Sequence, residues 1–452
     1  MSNIPDSYAD QTVCIIGLGY VGLTLAVTMA ECGFKVIGIE KREDVVKNLC
    51  NGKAHFFEPK LDQVLARVVS KGQMSIYSQI PIDCHADVYI ITVGTPLNEK
   101  GKVQLDMVRQ AAKAVAASAK NGALVIMRST LKLGTTRNIV AQILDENELK
   151  YDLAFCPERT VEGYALKELR HLPQIVGGMT YIATLRAATL FYFLTPTVVR
   201  VSSPETAEMI KMVDNCSRDV SFAYSNEIAR MCDATGISAA EVIQSGKLGY
   251  PRTNLYMPGP VGGPCLSKDP HILAEGMREA GIEPEITITA RLLNERQPVE
   301  VADQLVKVMA DLRMGNPIKN ISLCGLAFKG RPATDDLRGT PARQIFDVIR
   351  ERFPEANYRG YDAMVGFKDI EEFGLQPSQN LEEAFQDADL VLILNNHYIF
   401  ESMPLIELAN RMKAPGVIYD FWNNFDAREL ELPEGIGYIG LGARAHSNLY
   451  NK

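Results

Sequence analysis

Between an apolar run, Thr12 to Ile16, and a helical stretch reaching Glu31 lies Gly17-Leu18-Gly19-Tyr20-Val21-Gly22, a GxGxxG in strand-to-helix context. There the first glycine makes the tight turn, the second lets backbone approach a pyrophosphate, and the third permits close helix packing. The helix N-terminus then faces the phosphates. Glu40 ends the next apolar run, 18 residues beyond the last glycine, where an acid binds the adenosine ribose hydroxyls and repels a 2′-phosphate. NAD is the expected cofactor, with Lys41 and Arg42 leaving NADP as the alternative. The bland reading is a glycine turn with no nucleotide.

Cys265 stands in Gly262-Gly263-Pro264-Cys265-Leu266-Ser267-Lys268-Asp269, after a glycine- and proline-rich loop and before helical sequence. A thiol beside a lysine near a helix start can act as a thiolate nucleophile. A cysteine is more often buried and inert, and Cys14, Cys32, Cys156 and Cys324, among apolar neighbours, are assigned to that class; all eight others are read as packing residues. Lys211 and Asn215, four apart, share one helix face. Lysine can exchange a proton with a reacting oxygen and an amide can stabilise an oxyanion; a solvated face with a stray polar pair is the alternative. Glu158 and Glu162 follow a strand at the carboxyl edge of a sheet, where α/β sites lie, or are simply surface carboxylates. Gly325 to Gly330, with Lys329, lacks GxGxxG, yet such a turn can hold a nucleotide diphosphate. Arg252, in Tyr250 to Asn254, is a candidate phosphate clamp.

These residues need a scaffold of alternating strands and helices. Apolar runs at Thr12 to Ile16, Lys35 to Ile39, Asp87 to Val93, Ala123 to Met127, Asp152 to Cys156 and Gln174 to Val176 predict βαβ units and a mainly parallel sheet ending near Val201. Ser202-Ser203-Pro204-Glu205 starts a helix that runs to Gly236, long enough to link two domains and support a dimer interface. Helical sequence from Pro264 to about Met314 follows. Ile321 to Cys324, Asn357 to Tyr361, Leu390 to Leu394 and Val417 to Tyr419 then predict a second α/β domain. The fold class is α/β: an N-terminal Rossmann-type parallel-sheet domain (1–201), a central long-helix dimerisation domain (202–314) and a C-terminal Rossmann-like domain (315–452). An active site would lie in the cleft between them.

The length of 452 residues suits about three domains. A net charge of −8, with no basic block or tail, excludes bulk attraction to nucleic acid or anionic membrane. No apolar run approaches the roughly 18 residues of a membrane span, and Met1 to Gln11 has no signal-peptide pattern. Nine dispersed cysteines without a CxxC pair suit reduced thiols in a cytoplasm. No metal is expected.

Taken together, GLGYVGL, VGTP at Val93 to Pro96, RST with Thr130, PE with Glu158, EMIKMVDN, GGPCLSKD and LAFK with DDLR resemble, in order and over nearly the whole chain, the UDP-glucose/GDP-mannose dehydrogenase family. The resemblance implies an NAD-binding domain, a central dimerisation domain, a UDP-sugar-binding domain and a homodimer or higher homo-oligomer. It implies a four-electron oxidation of a sugar C6 alcohol to a carboxylate with two NAD molecules. In it Lys211, Asn215 and Thr130 manage charge on the C6 oxygen, Cys265 forms a thiohemiacetal and then a thioester, and Glu158 or Asp269 helps water hydrolyse it. For the cofactor it implies Gly17, Gly19, Tyr20, Val21, Gly22 and Glu40, with Thr95, Thr130, Glu162, Lys268 and Arg338. For the substrate it implies Glu158, Lys211, Asn215, Tyr256, Gly262, Phe328 and Lys329, with Arg252 reaching into a partner subunit's site.

The CPER, EG, ELR and QIVGG wording, the PRTN loop and DDLRGTPA look like the branch acting on UDP-N-acetylglucosamine or UDP-N-acetylmannosamine, whereas SKD after the cysteine looks more like the UDP-glucose branch. The expected substrate is the UDP-N-acetylhexosamine, with UDP-glucose as alternative. Two further alternatives are a two-electron β-hydroxyacid dehydrogenase, which has no need of Cys265 or the second α/β domain, and an NAD-binding scaffold with a degenerate site.

Overall fold

The computed structural model describes residues 4–313 and 317–443. The expected helix end at Met314 and the division at 314/315 lie outside these residues. The chain forms two compact units, one of residues 1–215 with 271–284, the other of 216–270 with 285–452.

In the first unit the strands are β1 (Thr12–Ile16), β2 (Lys35–Ile39), β3 (Met74–Tyr77), β4 (Val88–Ile91), β5 (Ala123–Met127), β6 (Tyr151–Phe155), β7 (Gln174–Gly178) and β8 (Val198–Arg200). They lie in the order β3-β2-β1-β4-β5-β6-β7-β8. All neighbours pair in parallel except β6 with β7. Every residue of β4 and β5 is buried, as expected of strands covered on both faces, which read as unbroken apolar runs. The order reverses direction between β1 and β4, the switch point at whose carboxyl edge ligands bind in such sheets.

The second unit repeats the theme with β9 (Asn320–Cys324), β10 (Asn357–Tyr361), β11 (Gln376–Pro377), β12 (Leu390–Ile393), β13 (Gly416–Asp420) and β14 (Ile436–Gly440) in the order β11-β10-β9-β12-β13-β14. All its pairings are parallel. The two sheets with a helical central region match the expected α/β class.

The long helix spans Pro204–Thr235. Ser203 caps it, its hydroxyl accepting from the Thr206 amide at 3.2 Å, and Gly236 ends it in a left-handed conformation, φ +76°. The helical sequence after Pro264 is divided into Gly263–Leu266, Asp269–Glu279 and Glu285–Arg313. Left-handed Gly281 and Pro284 separate the last two.

Four strands escape the apolar-run pattern: β3, which alternates buried and exposed, and β8, β11 and β14, which are short or glycine-containing. The cysteine expectation needs one correction. Cys50 is exposed, because it lies on the outer face of the helix Glu43–Cys50, which buries Val45 and Leu49 instead. Among the described residues no helix is long and apolar enough to cross a membrane.

Candidate active site

The glycine turn of the first unit divides its labour as the motif requires. Gly17 has φ +93°. A Cβ on Gly22 would lie 1.9 Å from the Gly17 carbonyl oxygen and 2.6 Å from Thr92 Oγ1, so the helix can approach the strand only with glycine there. A Cβ on Gly19 would meet nothing within 4 Å, the open approach a pyrophosphate needs. No side chain caps the helix Tyr20–Cys32 at its start, which leaves its positive end to a ligand. Glu40 follows β2 as expected, and its carboxylate accepts from the Arg42 amide at 3.1 Å and faces the Arg42 guanidinium at 3.5 Å. These residues fit an NAD molecule, with Glu40 for the adenosine ribose. Arg42 is engaged by Glu40 itself, which weakens the NADP alternative.

Tyr20 and Val21 open the helix, and the Tyr20 hydroxyl donates to the Glu58 carboxylate, which also accepts from the Gly163 amide at 2.7 Å. Burial first, then the Glu58 bond and charge, with a smaller contribution from Glu162, hold the Tyr20 hydroxyl protonated far above its ordinary range. Glu58 thus ties the loop carrying Glu162 to the glycine turn. Thr95 and Thr130 sit together at the ends of β4 and β5, the Thr95 hydroxyl donating to the Thr130 carbonyl at 2.6 Å.

Glu158 occupies the end of β6. One of its carboxylate oxygens accepts from the amides of Arg159 and Thr160 at 2.7 and 2.8 Å. The other accepts from Arg128 Nη2 at 2.6 Å and Nε at 3.1 Å. Arg128 is wholly buried and also donates to the Cys156 carbonyl and to Gln174. Burial alone would raise the Glu158 pKa; the Arg128 charge, the Thr160 amide, the Arg128 hydrogen bond and the Lys211 charge outweigh it and hold the carboxyl below its usual range. Glu158 is therefore a saturated carboxylate. Its main-chain carbonyl accepts the Lys211 ammonium at 2.6 Å. Lys211 and Asn215 are both buried on one helix face, not on the solvated face that the bland reading required. One turn earlier, Glu208 accepts from the amides of Gly134 and Thr136 at 2.6 and 2.9 Å and so anchors the segment that follows Thr130.

The remaining expected residues belong to the second unit. Cys265 is exposed on the short turn Gly263–Leu266. A Cβ on Gly262 would lie 2.4 Å from the Gly339 oxygen, and one on Gly263 would lie 2.4 Å from the Phe328 ring. The two glycines thus press the cysteine loop against Phe328 and the Gly339 turn. The Gly263 amide also donates to the Gly339 carbonyl at 2.7 Å. Lys268 pairs with the fully buried Asp269 at 2.9 Å. Burial, then Asp269 and Asp219, push the Cys216 thiol up to about 12, in keeping with a packing cysteine.

Lys329 lies 5.3 Å over the Phe328 ring, Arg338 pairs with Asp336 at 2.6 Å, Tyr256 stacks on Phe222 at 4.5 Å, and Arg252 packs 5.5 Å over Tyr250. A cleft of about 750 Å³ opens beside the loop, with Gly262, Ser267, Leu337, Gly339 and Arg343 on its walls. In the turn after β9 the amides of Leu326 and Ala327 donate to Asp362 at 2.6 and 3.0 Å. Those donors are committed within the protein, unlike the open approach at Gly19.

The sequence reading missed the residues that hold others in place. Arg128, Glu208 and Glu58 in the first unit, and Arg291 with Asp219 in the second, are buried charges whose partners are far away in sequence. Only Arg128 carried a local signal, as the first residue of the RST run that supplies Thr130.

A Rossmann-type sheet with an NAD-compatible glycine turn, a buried lysine and asparagine pair, a cysteine on a loop of the central helical region, and a second α/β domain define an NAD-dependent dehydrogenase. The chain belongs to the UDP-glucose/GDP-mannose dehydrogenase family: residues 11–194 match its NAD binding domain, 205–296 its central domain and 322–427 its UDP binding domain. It is thus an NAD-dependent oxidoreductase acting on UDP-sugars. It is 31% identical over 438 residues to a UDP-N-acetyl-D-mannosamine dehydrogenase of Pyrococcus horikoshii, covering 95% of this chain and 99% of the relative. It is 32% identical over 413 residues to the enzyme of the same name from Escherichia coli strain K12, covering 86% and 94%. The solved structure of a UDP-D-ManNAc dehydrogenase from Pyrococcus horikoshii superposes with a TM-score of 0.86 at 30% identity, covering 96% of this chain and all of that one.

Proposed function

We propose that this protein converts UDP-N-acetylmannosamine, in the cytoplasm and as a homodimer or higher homo-oligomer, to its uronic acid. For the sugar alcohol RCH2OH the balance is RCH2OH + 2 NAD+ + H2O → RCOO− + 2 NADH + 3 H+. The observation that carries this reading is Cys265, exposed on its glycine-pinned loop. The N-acetylmannosamine choice is supported by the two relatives of that name and by the CPER and PRTN wording; UDP-glucose remains the alternative that SKD suggests. The division into a cofactor domain (1–201), a central dimerisation domain (202–314) and a UDP-sugar domain (315–452) is supported by the three matched segments.

When bound, NAD accepts hydride from the sugar carbon. In the first oxidation the Lys211 ammonium and the Asn215 amide, with Thr130 and a water, hold the C6 oxygen and stabilise its charge as the C–H bond breaks. Cys265 then adds to the aldehyde, its sulfur bonding C6 and the carbonyl oxygen taking a proton. That adduct has a carbon from which a second hydride can leave, as a bare aldehyde does not, and its hydroxyl proton departs to give a thioester. Water adds, the C–S bond breaks and the thiolate returns. Because both oxygens of Glu158 are saturated, Asp269 with Lys268 is the better candidate to assist the water, and Glu158 serves to hold the carbonyl on which Lys211 docks. Glu40 and the glycine turn hold the cofactor with Tyr20, Val21, Thr95, Glu162, Lys268 and Arg338; Arg252, Tyr256, Gly262, Phe328 and Lys329 hold the UDP-sugar.

The test is a screen of purified protein with NAD against UDP-N-acetylmannosamine, UDP-N-acetylglucosamine, UDP-glucose and GDP-mannose. NADH production fastest with the first supports the assignment, and preference for UDP-glucose overturns the choice of sugar.

A further inference from the structure

Cys265 sits on a loop with little regular structure, yet a nucleophile must meet its carbon in a narrow range of direction. Something must fix that loop from beneath. Arg291, on the helix Glu285–Arg313, is 1% exposed. Its Nη1 donates to the Leu266 carbonyl at 2.7 Å and to Asp219 Oδ1 at 2.8 Å, and its Nη2 donates to the Val261 carbonyl at 3.3 Å. Val261 and Leu266 bracket the segment that carries Cys265. The charge is balanced by Asp219, fully buried on the long helix. Asp219 is itself held by the Asn294 amide, at 3.1 Å to its side chain and 3.0 Å to its carbonyl. Asn226 extends the network to the loop's near end, donating to the Gly259 carbonyl at 3.1 Å and accepting from the Gly259 amide at 2.9 Å.

A buried arginine that turns two of its donors to main-chain oxygens is a fixture for those oxygens. We propose that Arg291 is a positioning residue for the thiol chemistry: bridging the carbonyls on either side of Cys265, with Asp219 as its counter-charge, it sets the direction in which the sulfur meets the substrate aldehyde. This rests on Cys265 as nucleophile. Arginine is required because its planar fork reaches separate acceptors at once, which a lysine ammonium on a flexible stem does not reproduce.

The proposal separates the two oxidations. Reduction of the aldehyde, RCHO + NADH + H+ → RCH2OH + NAD+, is the first oxidation reversed and forms no bond to sulfur. Oxidation of the aldehyde, RCHO + NAD+ + H2O → RCOO− + NADH + 2 H+, passes through the C–S bond. The experiment supplies the C6 aldehyde of the UDP-sugar that the wild type oxidises and measures both rates in wild type, Arg291→Lys and the charge-neutral pair Arg291→Gln with Asp219→Asn. Alkylation of Cys265 by iodoacetamide is followed in parallel by mass spectrometry.

A misplaced reacting atom costs about a hundredfold, so aldehyde oxidation should fall by about that factor in both variants while aldehyde reduction stays within about threefold. Aldehyde should then escape from the alcohol reaction and be trapped by hydroxylamine, and the Cys265 alkylation rate should change. Equal losses in the two directions, or none, would overturn the proposal and leave Arg291 a packing residue. The neutral pair covers the case in which Arg291→Lys fails to fold. Wild-type protein that oxidises no nucleotide sugar, or Cys265→Ser that still yields acid at full rate, would sink the underlying reading instead.

Discussion

At the residue scale, the Arg128 and Glu158 pair shows how a buried charge is kept ionised and what depends on it. Removing one partner of such a pair leaves an uncompensated charge, at a cost of about 3–5 kcal/mol. Arg128→Met should lose stability of that order in urea unfolding at pH 7, and Arg128→Met with Glu158→Gln should recover much of it. The pH dependence carries a sign. In the wild type the folded Glu158 pKa lies below its unfolded value, so its contribution is fully present above the unfolded pKa and is lost as pH falls through the lower folded one. In Arg128→Met the burial that Arg128 outweighs becomes dominant, the folded pKa rises, and the deficit against wild type should shrink as pH falls toward 4. A deficit independent of pH would show that Glu158 is not the group affected. For Lys211→Ala, removal of the group placed at the C6 oxygen should lower kcat, measured on folded protein, by about 10²–10⁴-fold, with some loss of stability as the Glu158 carbonyl loses its donor and its carboxylate a neighbouring charge.

At the scale of elements, the glycine turn offers two substitutions with opposite expectations. Gly22→Ala pushes a methyl into the Gly17 carbonyl and Thr92, so it should cost about 1–3 kcal/mol of stability and weaken NAD binding as the helix is displaced. Gly19→Ala meets no protein atom; it should fold normally, yet bind NAD more weakly, because the methyl occupies the pyrophosphate's approach. Thermal unfolding beside NAD titration separates them, and normal NAD affinity in Gly19→Ala would contradict the assignment. This turn was legible in the sequence because strand, glycines and acid lie within one βαβ unit. The long helix was legible for a similar reason, its start and stop being written in Ser203, Pro204 and Gly236. What was not legible has long-range causes. Arg128 meets Glu158 across two strands, and Arg291 meets Asp219 and the cysteine loop across 72 and 25 residues, so local pattern gives no sign that these charges are buried. Strand β3 was missed because its buried-exposed alternation leaves too few apolar residues to form a run.

At the scale of the molecule, a chain of net charge −8 must bind any anionic ligand through local basic side chains, and Lys211 in one unit and Lys268, Lys329 and Arg338 in the other are the ones proposed for it. Tyr224 and Met231 are exposed on the long helix, at 52% and 50%, and support the proposal that it forms an interface between copies. Sedimentation should therefore give at least twice the chain's 49.9 kDa, and Tyr224→Glu with Met231→Glu should shift the protein toward monomer; a monomeric wild type would remove the dimer from the account. The central claim is that one exposed thiol converts a two-electron dehydrogenase into a four-electron one. Its most direct measurement is the stoichiometry of exhaustive turnover of UDP-N-acetylmannosamine, or whichever UDP-sugar is the best substrate, with NAD in excess. Two NADH per sugar acid formed is the predicted result, and one NADH per sugar consumed, with aldehyde as the end product, would contradict it.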